Sequence, residues 1–196
     1  MKLFKTTLLG VFLFSVFMAS AQEAENMGVE KSIFTVQTGG VGLWVSNEAR
    51  LSNQFALRTE IGVDLYAFTI VYNGTGKEVT DRILMPSISL EPRWYYNIER
   101  RAGKGKHIGN NSADFVTLAV EYISGELAMS TDTDLKIPEV LTIIPKWGMR
   151  RSIAGSNFNY EIGAGVGYQG YIANSEDMKD DSDVGFDIHL RIGYTF

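Results

Sequence analysis

The sequence predicts an all-β protein, an up-and-down antiparallel transmembrane β-barrel with eight strands expected. Three observations predict it. The segment from Phe186 to Phe196 alternates without a break, Phe186, Ile188, Leu190, Ile192, Tyr194 and Phe196 on one side, Asp187, His189, Arg191, Gly193 and Thr195 on the other. One purely apolar face over ~9 to 11 residues is what a tilted transmembrane strand requires. At the other end, Lys2 and Lys5 precede an apolar stretch from Leu8 to Met18 and the small triplet Ala19, Ser20, Ala21, which reads as a secretory signal over 1–21 cleaved before Gln22. No second long apolar run follows, so a membrane crossing falls to strands closed on themselves.

Composition agrees with that class. With 0 cysteines, disulfides, thiol catalysis and thiolate metal sites are all excluded. A closed barrel supplies stability in another way, because every strand edge is paired. The 20 glycines thin a crowded lumen and the aromatics, 12% of residues, suit interfacial girdles. A mean hydropathy of -0.03 is expected where apolar and polar faces cancel along each strand. Without Lys2 and Lys5 the acidic residues outnumber the basic ones further than the formal charge of -5 of the whole chain, which disfavours nucleic acid as a partner.

The organisation expected is a signal peptide over 1–21, a flexible polar lead-in over 22–32 and one barrel domain over 33–196. Period-2 segments within it lie at about 33–45, 54–71, 83–97, 114–128, 138–150, 157–172 and 185–196. In the second, Phe55, Leu57, Ile61, Val63 and Leu65 oppose Arg58, Glu60, Gly62 and Asp64. In the third, Leu84, Ile88, Leu90, Trp94 and Tyr96 oppose Ser87, Ser89, Glu91 and Arg93. In the sixth, Phe158, Tyr160, Ile162, Ala164, Val166 and Tyr168 oppose Asn159, Glu161 and a run of alternate glycines. The first is less regular, with Gly39 and Gly40 read as a bulge and the face of Trp44 left open. The separators Ser46–Asn53, Tyr72–Arg82, Ile98–Ala113, Met129–Ile137, Arg151–Ser156 and Ala173–Val184 carry turn chemistry.

Seven segments leave the first and last strands parallel at closure, which is why an eighth is expected. Its sources are the lead-in, a division of the long second segment, or the region 98–113.

This combination of a signal ending at Ala21, alternating strands and a closing Ile192-Gly193-Tyr194-Thr195-Phe196 resembles the small outer-membrane β-barrels of Gram-negative bacteria, similar in plan to the eight-stranded OmpA-type and OmpX-type proteins. The resemblance implies location in the cell outer membrane and contact with outer-membrane lipid. It also implies that Tyr194 and Phe196 are contacts for the barrel-assembly machinery. Such barrels include adhesins, envelope-stabilising proteins, small pores and lipid-modifying enzymes, so fold alone assigns no activity.

The face expected to line the lumen collects Glu60, Asp64, Glu91, Glu121, Glu161 and Asp187 against Arg58, Arg93, Lys146, Arg150 and Arg191. Near-balanced charges in a lumen just wide enough for side chains are expected to pair into a network that plugs it. His189 falls on the same face between Asp187 and Arg191, where a hydrogen-bonded lumen histidine is expected. Lipid-trimming barrel hydrolases carry serine, histidine and acid on the lipid side, which is the wrong face for His189. His107, beside Lys104 and Lys106, reads as a solvated turn. Two distant histidines form no metal site. The acidic run Glu176–Asp183 within the 173–184 loop lacks the pattern of a calcium loop. Trp94, Tyr95, Tyr96 and Trp147, and at the other end Tyr66, Tyr72, Tyr168 and Tyr171, read as interfacial belts.

The function expected is therefore non-enzymatic, with no catalytic residues, no cofactor and no metal: an outer-membrane barrel acting in envelope structure or through its external loops. The alternatives are a small pore or transporter, a lipid-modifying enzyme, and a soluble barrel with an apolar interior lined by Ile88, Leu90 and Trp94.

Overall fold

The structure, a computed structural model, describes residues 28–40, 42–72, 77–129, 137–172 and 181–196, without the side chains of 67–72 and 77–81. The signal 1–21, most of the lead-in, the side chain of Tyr72 and residues 173–180 of the acidic loop lie outside the described residues. The strands are β1 (Ser32–Gly39), β2 (Gly42–Arg50), β3 (Phe55–Tyr72), β4 (Lys77–Trp94), β5 (Asp114–Ile123), β6 (Glu139–Ser152), β7 (Phe158–Ile172) and β8 (Asp181–Thr195). Each pairs antiparallel with the next in sequence, and β8 closes on β1 through Thr35↔Thr195 to Gly39↔Arg191. The protein is an all-β, eight-stranded, up-and-down closed barrel.

The register fixes its geometry. The ladder from Thr35 passes through Ser46, Glu60, Ser89, Glu121, Thr142 and Gln169 and arrives on β8 at Asp183, although Thr35 itself pairs with Thr195. That offset is a shear of about twelve residues, and with ordinary strand spacings it tilts the strands by about 45°. Inward and outward positions then alternate on every strand.

The placement expected from the sequence, apolar rows outward and charged rows inward, holds on β3, β4, β7 and β8. Ile188 and Phe186 on β8 are 85% and 74% exposed, and Ile88, Leu90 and Trp94 on β4 also face outward. Arg58, Arg150 and Glu161 are buried at 0%. The alternative in which Ile88, Leu90 and Trp94 line an apolar interior is thereby contradicted in its inward–outward assignment.

The eighth strand comes from none of the three places expected. The first period-2 segment is two strands, β1 and β2, joined by a tight connection at Gly39–Gly42, where Gly39 pairs with Gly42. Gly39 and Gly40 are thus a turn and not a bulge. The separator Ser46–Asn53 is mostly β2, and the β2–β3 turn is Leu51–Gln54, closed by Leu51 N–H donating to Phe55 O at 2.8 Å. The fourth segment stops at Ile123, and the third starts earlier, at Lys77.

Both ends of the described chain, with the connections β2–β3, β4–β5 and β6–β7, lie at one end of the barrel, here the plug end. The β4–β5 connection holds a short helix, α1 (Ile98–Ala102), and a 3₁₀ turn at Gly109–Asn111. Ile98 of α1 packs with Val29, Ala56, Tyr95, Ala113 and Phe115 in a fully buried apolar cluster. Asn111, in the left-handed region at φ 55, accepts from Glu30 N–H at 2.8 Å and so ties the lead-in down. The last residues of the lead-in are therefore packed structure, and Ser32 already belongs to β1.

Candidate functional site

The lumen begins at the plug with a knot of ions. Glu161 on β7 faces three guanidinium groups at 3.0 Å or less, from Arg58 on β3, Arg93 on β4 and Arg150 on β6. Glu48 on β2 takes Arg150 at 2.6 Å and Arg93 at 3.5 Å, and its Oε2 accepts from Tyr95 Oη at 2.7 Å and Asn111 Nδ2 at 2.9 Å. Tyr95 lies just beyond β4, and burial first, then the neighbouring Glu48 carboxylate, pushes its phenol above the ordinary range, so it remains a donor. Arg93 also stacks on Phe115 at 4.1 Å, which joins the ionic knot to the apolar plug.

Farther from the plug the pairs continue. Arg58 reaches Glu60, and Glu60 accepts from Arg191 at 2.8 Å. Glu91 holds Arg93 at 2.6 Å and Lys146 at 2.8 Å, and Lys146 reaches Asp187 at 3.2 Å. His189 is clamped between carboxylates, its Nδ1 2.5 Å from Asp187 Oδ1 and its Nε2 3.7 Å from Glu161 Oε1. These two carboxylates make His189 a member of the ion network. Gly163 makes room for this ring, because a Cβ there would collide with His189 Cε1.

Asp64 and Glu121 stand apart from the cations. Asp64 accepts from Ser87 Oγ at 2.6 Å and Trp44 Nε1 at 3.2 Å, both neutral donors. Glu121 on β5 sits opposite Ser89 on β4 and has no bonded cation among the described residues. Above them the lumen turns apolar, with Ile83, Met85, Ile123 and Val140 packed together and Tyr171 against them. No group of three metal-ligating side chains is assembled among the described residues.

The structure thus brings together Arg58, Glu60, Glu91, Arg93, Lys146, Arg150, Glu161, Asp187, His189 and Arg191 in one bonded system, with Asp64 and Glu121 at its margin. Sequence reasoning missed four participants. Glu48 lay in a supposed separator, and its place in phase with Trp44 and Ser46 is the signal that finds it once the Gly39–Gly42 turn is recognised. Trp44 faces the lumen, where the Arg191 guanidinium lies 3.9 Å from its ring. Gln37 accepts from Arg58 at 2.5 Å. Tyr95 is a plug residue and not a belt residue, and Tyr66 and Tyr171 occupy inward positions, leaving Trp94, Tyr96 and Trp147 on the outer surface at the plug end. His107 is exposed, as a solvated turn residue would be.

Fold and site define a class: an eight-stranded closed β-barrel with an apolar exterior and an ion-paired, plugged interior. Comparison with protein families, with curated proteins and with solved structures finds no match to this chain.

Proposed function

We propose that the protein is a non-enzymatic outer-membrane β-barrel whose lumen does not conduct and whose role lies in envelope structure or in contacts made by its external connections. The observation that carries this reading is the inversion itself: large apolar side chains outside, buried arginines and glutamates inside. In water such an exterior is an aggregation surface, and in lipid it is the required one. The outward row on β8 from Val184 to Phe196 rises about 28 Å along the barrel axis at the 45° tilt, which suits an apolar band ~25 Å tall with its girdle. At the plug end Phe55 stacks on Trp94, and Phe158, Tyr194 and Phe196 meet edge to face, as a girdle would.

In this reading the plug end faces the periplasm and outer-membrane lipid is the surrounding partner. The outward Tyr194 and Phe196 are the contacts offered to the barrel-assembly machinery. Membrane fractionation combined with electrophoresis with and without boiling tests it. Recovery in the outer membrane with a faster-migrating unboiled band is expected, together with no steady conductance in a planar bilayer. Recovery in the soluble periplasm would overturn the membrane reading, and large reproducible single-channel currents would overturn the closed lumen.

A further inference from the structure

Strand lengths are unequal in a way that opens the wall. β1 and β2 have 8 and 9 residues, whereas β3 has 18 and β8 has 15. The β1–β2 hairpin ends where Gly39 meets Arg191 of β8 and Gly42 meets Asp64 of β3. Beyond that level Asp181–Leu190 has no partner on β1, Leu65–Tyr72 has none on β2, and no ladder joins β3 to β8 among the described residues. The result is a notch with two strand edges that are bare among the described residues, three strand spacings or roughly 14 Å across.

The sides of the notch differ in chemistry. Outward of it stand Val184, Phe186 and Ile188, all heavily exposed, so it opens at the height of the apolar band. Inward stand Asp64, the last residue of β3 paired with β2, and Asp187 of β8, whose side chain keeps 21% exposure. Tyr66, at an inward position, is still 36% exposed. Bare backbone edges facing hydrocarbon are costly unless something with hydrogen-bonding groups meets them.

The charges inside the notch say what that something is. Lys146 is taken by Glu91 and Asp187, and Arg191 by Glu60. Asp64 and Glu121 are left with no bonded cation among the described residues, and Ser89, opposite Glu121 in the ladder, has a buried Oγ with no hydrogen-bond partner. Two carboxylates and a hydroxyl match the three N–H donors of an ammonium group. A bare calcium ion needs six to eight oxygens, which these side chains do not supply. A strand from another chain would fill one edge of so wide a notch and leave the other bare.

We infer that the notch between β3 and β8 is a lateral entry through which the barrel binds an amphiphile with a protonated amine head group. The ammonium sits between Asp64 and Glu121 with Ser89 Oγ as a third acceptor. The alkyl chain leaves through the notch against Phe186 and Ile188, and the polar linkage of the amphiphile meets the bare strand edges. This inference rests on the membrane reading above.

The test uses the protein purified from membranes into dodecyl maltoside, with Trp94→Phe and Trp147→Phe so that Trp44, bonded to Asp64, is the sole tryptophan and is excited selectively over the tyrosines. Dodecylammonium is expected to change Trp44 emission saturably, with a midpoint at least tenfold below that of ethylammonium or Ca²⁺. Dodecyl sulfate is expected to cause no saturable change. Glu121→Gln and Ser89→Ala, which leave the Trp44–Asp64 hydrogen bond in place, are expected to raise the dodecylammonium midpoint, the former at least tenfold. Equal midpoints for dodecylammonium and ethylammonium, a response to Ca²⁺ alone, or no saturable response in a protein that keeps its heat-shifted band would each overturn the inference. Absence of the protein from the membrane fraction would instead overturn the membrane reading, and the two failures are separate measurements.

Discussion

Arg150 Nη2 lies 2.7 Å from Glu161 Oε2, and both side chains have zero exposure. Because Arg58 and Arg93 converge on the same carboxylate, Glu161 holds three guanidinium groups together. Glu161→Gln preserves shape and removes the charge, leaving a buried excess of cations. Breaking a buried pair costs ~3–5 kcal/mol. The expected outcome is a loss of that size in urea unfolding, seen also as a lower temperature for the gel shift. A loss below ~1 kcal/mol, the range of exposed pairs, would show that the knot is not what stabilises the barrel.

Tyr95 makes the plug sensitive to alkali. Its phenol is raised above the ordinary value by burial and by Glu48, so the folded protein keeps the proton more tightly than the unfolded chain. The sign follows: the contribution is complete below ~pH 10 and is lost as pH rises beyond it, by about 1.4 kcal/mol per pH unit. Tyr95→Phe removes both the hydrogen bond to Glu48, about 1.5–3 kcal/mol for a charged acceptor, and this dependence. Unfolding of both proteins at pH 8, 10 and 11 is expected to show their difference shrinking above pH 10. A constant difference would sink the assignment.

Trp44 owes its place to glycine. A Cβ on Gly62 would fall on the Trp44 ring at Cδ1, and one on Gly42 would lie 2.6 Å from Cζ2. Gly62→Ala therefore displaces the indole from Asp64 and Arg191, at a cost of about 1–3 kcal/mol for overpacking. With Trp44 as the only tryptophan, its emission is expected to shift to longer wavelength as water reaches the ring. An unchanged spectrum with unchanged stability would mean that the indole is not seated there.

How much of this was legible depends on what sets each feature. Alternation on β3, β4, β7 and β8 could be read directly because one face of each is apolar and the other is charged or glycine, a local property of the chain. The Gly39–Gly42 turn was not, because the change of phase it causes, from inward Thr35 and Gln37 to inward Trp44 and Ser46, is also what a bulge would give, and only pairing of Gly39 with Gly42 reveals the reversal. Everything hidden behind that turn was lost with it: Glu48, the inward face of Trp44, and the short hairpin that leaves the notch. The plug was illegible for another reason. Tyr95 and Ile98 follow the last residue of β4, and their burial depends on a helix and on Phe115 from the next strand. Likewise Asp187 and His189 were visible as lumen residues, but their meeting with Lys146 and Glu161 is a matter of register across three strands.

Ile188 separates a membrane barrel from any soluble one. It is the most exposed large apolar side chain on β8 and lies mid-strand, with Phe186 and Leu190 on the same outer row. If lipid surrounds it, Ile188→Arg places a guanidinium in hydrocarbon, at ~2–4 kcal/mol near the midplane and less toward the interfaces. If water surrounds it, the same change relieves an apolar surface and leaves stability within ~0.5 kcal/mol. Folding into bilayers of phosphatidylcholine, followed by urea titration and the gel shift, is expected to show a penalty of the first kind. His189→Gln, one residue away and facing inward, serves as the comparison, because its effect follows the lumen ions and not the lipid. A neutral or stabilising Ile188→Arg would turn the exterior back toward water and remove the ground for placing this barrel in a membrane.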